Sequence, residues 1–248
     1  MNNIGYVDKD LGDFDTGLSY LQKALKMRDN AKDTSCLSNS LNNIGLVYKD
    51  LGEYDKALEY LKKSYSFHIK SNEEKQTGNT LNNIAIIWSI KGDLEKSRGY
   101  LVKALKVSEE VENYNSMAMI LDNIGNNFFK KGELDSAYIY HLKSIEVCRK
   151  VDALYWESSA HLHLGKIMLL KNNIKVAEEK TLAAYAIAEK TGYPDRLRDI
   201  SEQLSIIYEQ KGDSKKALKY HKEYIVMRDS IDNVANKKML FKQEINYD

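Results

Sequence analysis

Proline, cysteine and long apolar runs are all scarce in this chain of 248 residues. The single proline, Pro194, leaves almost the whole chain without the residue that most strongly interrupts helices. The two cysteines, Cys36 and Cys148, lie far apart with no CxxC pair, so we expect two packing thiols and no disulfide or metal support for folding. No apolar stretch approaches the roughly 18 residues of a membrane-spanning helix. These absences favour a helical chain whose core is built from ordinary apolar side chains.

The chain also has almost no net charge, because 37 Lys and Arg nearly balance 36 Asp and Glu. Nothing in this balance draws the chain towards nucleic acid or an anionic membrane, so we expect no nucleic-acid partner. The chain contains no P-loop, HExxH, GxSxG or dinucleotide-binding glycine pattern. We therefore predict a protein that is not an enzyme and has no catalytic residues, no metal site and no cofactor.

The histidines support this expectation when the sequence alone is considered. His161 and His163 are two positions apart, which on a helix turns their rings about 160° from each other. We expect His161 to replace a core leucine and His163 to face the groove, so that the two do not share a metal. His68, His141 and His221 are isolated in the sequence.

What the chain does have is a repeat of 40 residues without insertions. When the repeats are aligned, the residues at equivalent positions form columns. One column is apolar and the next holds small residues. Further columns hold aromatic residues, a turn glycine and a second small residue. The first of these columns is Ile4, Ile44, Ile84, Ile124, Leu164 and Leu204, and the second is Gly5, Gly45, Ala85, Gly125, Gly165 and Ser205. A tyrosine column holds Tyr20, Tyr60, Tyr100, Tyr140 and Tyr220. Such a period is typical of arrays in which each unit stacks on the next.

Each column has a mechanical reason. Small residues such as Gly45 and Ala57 allow two antiparallel helices to approach closely, while the apolar column fills the space between them. Gly52 ends the first helix in the left-handed conformation, and the acidic Glu53 and Asp55 then stand at the positive end of the second helix. The tyrosines recur with the fold, so we expect packing residues and not a ligand site.

The pattern Leu41-x2-Ile44-Gly45-x2-Tyr48 followed by Ala57-x3-Leu61 resembles the tetratricopeptide repeat (TPR), with a period of 40 in place of 34. The resemblance implies an all-α fold, a right-handed α-solenoid of stacked antiparallel helix pairs. We predict an array of about six repeats over residues 1–232, the first truncated, and a capping or connector helix over 233–248. Predicted first helices are 1–11, 34–51, 74–91, 114–131, 154–171 and 195–211. Predicted second helices are 14–30, 54–70, 94–110, 134–150, 174–190 and 214–230.

One column has no obvious packing role: Asn occupies position 3, 43, 83 and 123, and is preceded by Asn or Asp. Asn costs roughly 0.5 kcal/mol against Ala inside a helix, so its recurrence calls for an explanation. In tetratricopeptide proteins this position lines the concave groove where extended peptides bind. An amide both donates and accepts hydrogen bonds and therefore suits a peptide backbone. The alternative is that these amides bridge neighbouring first helices and bind nothing.

The resemblance therefore implies a protein-binding or peptide-binding groove that is neutral and partly apolar. Its candidate residues are Asn42, Asn43, Leu46, Asn79, Asn82, Asn83, Ile86, Asn123, Asn126 and His163. The groove lacks the lysines with which chaperone-binding members hold an acidic C-terminal tail.

The final segment, HKEYIVMRDSIDNVANKKMLFKQEINYD, resembles the end of the sensor arrays of bacterial signalling proteins. This resemblance implies the sensory or scaffold part of a longer protein. It is compatible with an array outside the cytoplasmic membrane, or beside that membrane in a membrane-anchored parent. Residues 233–248 are expected to cap the last repeat or to pair with a second chain. Two other functions stay open: a peptide-controlled regulator or phosphatase of a response regulator, and a structural assembly scaffold.

Overall fold

The computed structural model describes residues 34–71 and 73–245, with side chains at 37–71 and 73–232. All regular structure in these ranges is helical, in ten α-helices. They are α1 Thr34–Asp50, α2 Tyr54–Lys70, α3 Glu74–Ile90, α4 Leu94–Glu110, α5 Tyr114–Lys130, α6 Leu134–Lys150, α7 Leu154–Leu170, α8 Ile174–Thr191, α9 Pro194–Gln210 and α10 Ser214–Ile245. The described helices before Tyr114 form one compact unit, and those from Tyr114 to Val234 form a second. The helices predicted within residues 1–33 lie outside the described residues.

The helix bounds follow the 40-residue period, and the predicted all-α fold is confirmed. Each helix from α1 to α7 begins at its predicted residue and ends within one residue of its predicted end. The turn between first and second helices uses the left-handed conformation, with φ of +78° at Gly52 and +80° at Gly132. Asn172 replaces glycine at the same point of the turn that begins α8 and keeps a φ of +56°. Asn tolerates this conformation better than other side chains do, so the turn survives the substitution.

In the first unit, α1 and α2 approach each other at the small residues that the sequence singled out. A methyl group added to Gly45 would lie 2.7 Å from Leu61 Cγ and 3.2 Å from the Ala57 carbonyl oxygen. Leu61 and Ala57 are themselves fully buried. The glycine therefore makes room for a leucine of the partner helix, as the repeat pattern predicted.

In the second unit, the same positions hold polar residues. A methyl group at Gly125 would lie 2.7 Å from Cε1 of the His141 ring, and one at Gly165 would contact Thr181 Oγ1 and Gln203 Nε2. His141 and Thr181 occupy the position that Leu61 holds in α2. The close approach of paired helices is thus kept, while the group that fills it becomes polar.

The aromatic columns stack on each other within a repeat. Ring centroids of Tyr48 and Tyr60 are 5.4 Å apart with nearly parallel planes, and Phe128 and Tyr140 are 5.3 Å apart in the same way. Both geometries are favourable offset stacks. The tyrosine column is therefore a packing feature, as predicted.

The C-terminal segment differs from its prediction. The sequence predicts that a second helix ends near 230 and that another begins at 233, but α10 is one helix from Ser214 to Ile245. No glycine or proline stands between 214 and 245 to end it. The side chains of 233–248 lie outside the described residues, so the capping and pairing roles stay predictions. Among the described helices, none is long and apolar enough to cross a membrane.

Candidate functional site

In the first unit, the predicted groove residues lie along α1 and α3 with differing exposure. Asn42, Asn43, Leu46, Asn83 and Ile86 are all half-buried. The Asn83 amide donates a hydrogen bond of 3.1 Å to Asn42 Oδ1, and the Thr80 hydroxyl donates to the same oxygen at 3.4 Å. One amide pair therefore bridges neighbouring first helices, which is the alternative that the sequence left open.

The remaining predicted residues of this unit behave differently from one another. Asn82 is fully buried, so its amide does not reach a surface that a ligand would contact, and we omit it from the proposed surface. Asn79 is exposed in the second turn of α3. Asn43 is half-buried, and its amide has no hydrogen-bond partner among the described residues.

In the second unit, the predicted residues are Asn123 and Asn126 on α5 and His163 on α7, all half-buried. Asn126 has no partner within the part of the chain that the structure describes. His163 instead turns towards Asp122, with 3.3 Å between its Nδ1 and the carboxylate Oδ1. His163 is therefore engaged inside the unit.

A buried polar cluster forms around Asp122, which is 1% exposed in the middle of α5. His141 Nδ1 lies 2.8 Å from Oδ1 of Asp122, and the Ser159 hydroxyl donates to Oδ2 at 3.0 Å. The rings of His141 and His163 stack with 4.8 Å between centroids. We call Asp122, His141 and His163 the Asp-His-His cluster.

The electrostatics of this cluster favour an ionised carboxylate between two imidazoles. Burial acts to raise the pKa of Asp122, but the charge of His163 and the hydrogen bonds from both histidines outweigh it and hold that pKa well below its usual range. Burial lowers the pKa of His163, against the opposing pull of Asp122. Because an ionised carboxylate only accepts hydrogen bonds, each imidazole must present an Nδ1–H to it. The Nε2 of His141 is then buried without a partner.

Sequence reasoning missed this cluster, because His141 is isolated in the sequence but contacts Asp122 and His163 in the structure. His141 follows Asp122 by 19 positions and precedes His163 by 22, so no short motif joins them. The available signal was in the columns of the repeat. Asp122 and His163 each stand in a column of Asn, and His141 stands in a column of Leu. The expected separation of His161 from His163 is confirmed, because His161 faces Glu157, with 3.9 Å between Nε2 and Oε1.

Three further buried groups, Cys148, His68 and His161, have shifted pKa values. Burial raises the pKa of the Cys148 thiol to about 12, so it stays protonated and unreactive, as expected of a packing residue. Cys36 has its side chain outside the described residues. Burial also lowers the pKa of His68 and of His161, while nearby Glu73 and Glu157 act in the opposite direction.

These lowered histidine pKa values predict a loss of stability in mild acid. The unfolded chain takes up protons near pH 6.5, before the folded chain does, so the free energy of unfolding falls as pH decreases through that value. Each such histidine contributes up to about 1.4 kcal/mol per pH unit between its unfolded and folded pKa. Urea unfolding at pH 7.5, 6.5 and 5.5 measures the slope.

The matched variant is His161→Leu, which restores the residue found at positions 41, 81 and 121. It should lose less stability than the parent between pH 7.5 and 5.5. A parent protein whose stability is the same at both pH values would contradict the assignment of neutral buried histidines.

Comparison with known proteins bears on the family. Residues 1–70 and residues 77–116 each match a family model described as a tetratricopeptide repeat. A comparison with curated protein sequences finds no significant match.

Solved structures resemble the chain in fold. BtubC (BKLC) from P. vanneervenii matches with a TM-score of 0.75 and 16% identity, covering 88% of this chain and 92% of that one. Aspartyl phosphate phosphatase F from Bacillus subtilis matches with a TM-score of 0.73 and 18% identity over 92% of this chain and 58% of that one. A third match is PH0952 from Pyrococcus horikoshii, a signal transduction ATPase (STAND) protein with a tetratricopeptide repeat sensor. Its TM-score is 0.73 and its identity is 15% over 96% of this chain. The chain spans 38% of that last protein.

Proposed function

We propose that the chain, in which residues 1–70 and 77–116 match tetratricopeptide repeat models, captures an extended segment of a partner protein on its first helices. Tetratricopeptide repeats are protein-binding modules, and each described unit carries the predicted residues on these helices. The observation that carries the proposal is the half-buried Asn43 amide, which no other described residue uses. It lies one turn from Leu46 on α1, so an amide and an apolar side chain share one face.

The chemistry of this face suits a peptide of neutral, partly apolar sequence. Asn43 can donate to a peptide carbonyl and accept from a peptide N–H at the same time. Leu46 and, one repeat later, Ile86 offer apolar contact on either side. The Asn42 to Asn83 hydrogen bond lies beside these residues and fixes the distance between the two helices. Different amides therefore have different roles in this proposal. Asn83 holds the two first helices together, and Asn43 contacts the peptide.

The test is selection of binding peptides from a random display library against the whole chain, followed by affinity measurement on variants. We expect Asn43→Ala combined with Leu46→Asp to weaken a selected peptide about 10-fold or more, since both contacts are removed. The control is Val102→Asp, because Val102 is 57% exposed on α4, a second helix. It should leave affinity unchanged.

Thermal unfolding of the same variants separates binding from stability. Asn43 and Leu46 are half-buried and outside the fully buried core, so the double variant should melt close to the parent. Peptides that bind the double variant as tightly as the parent would refute the proposed surface. Loss of binding in the Val102 variant alone would place the binding site on the second helices and would support a scaffold that uses its outer face.

The resemblance of the C-terminal segment to bacterial sensor arrays leads us to propose that this binding serves signalling in a larger protein. One structurally similar protein is described as a signal transduction ATPase with a tetratricopeptide repeat sensor. At 15% identity that likeness concerns the fold, and the sensory role is our proposal. Reading the coding sequence on both sides of these 248 codons tests it, because a sensor array requires an output domain in the same reading frame.

A further inference from the structure

Three columns of the repeat change together at one place in the second unit. Asp122 stands where earlier repeats have Asn42 and Asn82, His141 where they have Leu61 and Leu101, and His163 where they have Asn43, Asn83 and Asn123. Each replacement introduces an imidazole or a carboxylate. The structure shows that these three side chains meet, although they come from three different helices.

We propose that Asp122, His141 and His163 bind one divalent transition-metal ion of the zinc type. One ligand atom from each residue lies within 4.8 Å of the other two. Oδ1 of Asp122 is 2.8 Å from His141 Nδ1 and 3.3 Å from His163 Nδ1. Metal–ligand bonds of about 2.0–2.1 Å in a tetrahedral site place neighbouring ligand atoms roughly 3.3 Å apart. Of these two edges, one already has that length and the other needs to open by about 0.5 Å. The third edge joins the two imidazoles, whose stacked rings must turn so that both Nδ1 lone pairs point at the ion.

The hydrogen bonds of the cluster do not by themselves account for two histidines in the core. A buried structural histidine normally pairs both ring nitrogens. Here His141 is 0% exposed, yet its Nε2 has no partner. Leucine fills this position in the two preceding described repeats and needs no partner at all. Coordination of an ion by Nδ1 would explain why an imidazole replaces this leucine, and it would place the proton of each neutral ring on Nε2 in place of Nδ1.

The ligand set selects the class of ion. Two imidazoles and one carboxylate suit Zn²⁺ and its transition-metal neighbours, whereas Ca²⁺ and Mg²⁺ take oxygen ligands. Ser159 donates to the second carboxylate oxygen and so orients Asp122, as outer-shell hydrogen bonds do in known sites. The side chain of His163 is 18% exposed, whereas the side chains of His141 and Asp122 are 0% and 2% exposed. Solvent therefore reaches the cluster beside His163, where a water molecule can supply the fourth ligand.

A bound ion would join α5, α6 and α7, which are both helices of one repeat and the first helix of the next. This role does not depend on the proposed peptide surface, because it concerns the stability of the second unit. Since the ion binds the folded chain and not a preformed site in the unfolded chain, it should raise the melting temperature.

The experiment is a calorimetric titration of Zn²⁺ into the tag-free full chain after removal of metals with a chelator. We expect one ion per chain, with a melting temperature about 5 °C or more higher at 100-fold excess over the dissociation constant. His141→Leu and His163→Asn restore the residues of the other repeats, so both variants should fold. Each should weaken Zn²⁺ binding by about 100-fold or more, beyond the 10–100-fold typical of losing an outer-shell partner.

The matched control is His221→Leu, which removes an exposed histidine from the same column as His141. It should bind one ion with the affinity of the parent. Zn²⁺ binding that survives in His141→Leu and His163→Asn, or no binding at micromolar Zn²⁺ in the parent, would overturn the proposal. Should either variant fail to fold, Co²⁺ added to the parent decides: tetrahedral visible absorption bands support the site, and their absence refutes it.

Discussion

Replacing Ile84 by alanine is expected to lower the free energy of unfolding of the first unit by about 2–5 kcal/mol. Ile84 is fully buried in a cluster with Ala57, Leu58 and Leu61 of α2 and with Ile87 of its own helix. Removal of three carbon atoms leaves a cavity. The cavity cannot readily collapse, because α2 is held in place by its close contact with α1. The lost contacts join one repeat to the next, and such interfaces are where a solenoid obtains much of its stability.

Urea unfolding combined with hydrogen exchange measures this effect, because a repeat array need not unfold in one step. Amides of α2 and α3 should lose protection most. The control is Val102→Ala, which truncates an apolar residue that is 57% exposed on α4 and should cost less than about 0.5 kcal/mol. An Ile84→Ala protein as stable as the control variant would mean that α2 and α3 do not pack through this residue.

The sequence predicted the helices well because the period, the turn glycines and the small residues all act locally. Gly52 and Gly132 mark the turns, and Gly45 marks the close approach of paired helices; each can be identified from its own column. The end of α10 was predicted wrongly for the same reason. No glycine or proline separates residues 230 and 233, so the proposed break had no local residue to make it.

Contacts between repeats were harder to predict because they join different columns. Asn42 bonds to Asn83, and Asp122 approaches His163; each pair is separated by 41 positions, one more than the period. Comparing residues within a column shows that Asp122 or His163 departs from the pattern, but does not show that the two departures meet. Only the arrangement of neighbouring first helices brings them together, and His141 then joins them from the second helix of the same repeat.

Removal of the Asp122 carboxylate should destabilise the second unit by about 2–5 kcal/mol. Asp122→Ala leaves the Nδ1–H of His141 and the hydroxyl of Ser159 buried without an acceptor, and each such donor costs about 1–3 kcal/mol. His163 is partly exposed and can turn to water, so it adds less. Urea unfolding at pH 7.5 measures this loss in the free energy of unfolding. A chelator is present so that bound metal makes no contribution.

The decisive comparison is with the triple variant Asp122→Asn, His141→Leu, His163→Asn. It rebuilds the arrangement of the first unit, where Asn42 accepts from Asn83 and a fully buried Leu61 fills the space beside Gly45. We expect its free energy of unfolding to lie within about 1 kcal/mol of the parent, although Asp122→Ala alone is severely destabilised, because residues that act as one network are not additive. If the triple variant were as unstable as Asp122→Ala, the carboxylate would be required for a reason other than pairing with the two histidines. A stable triple variant would show that the fold needs only a satisfied interface at this point. If the parent binds Zn²⁺ and the stable triple variant does not, the Asp-His-His cluster serves metal binding.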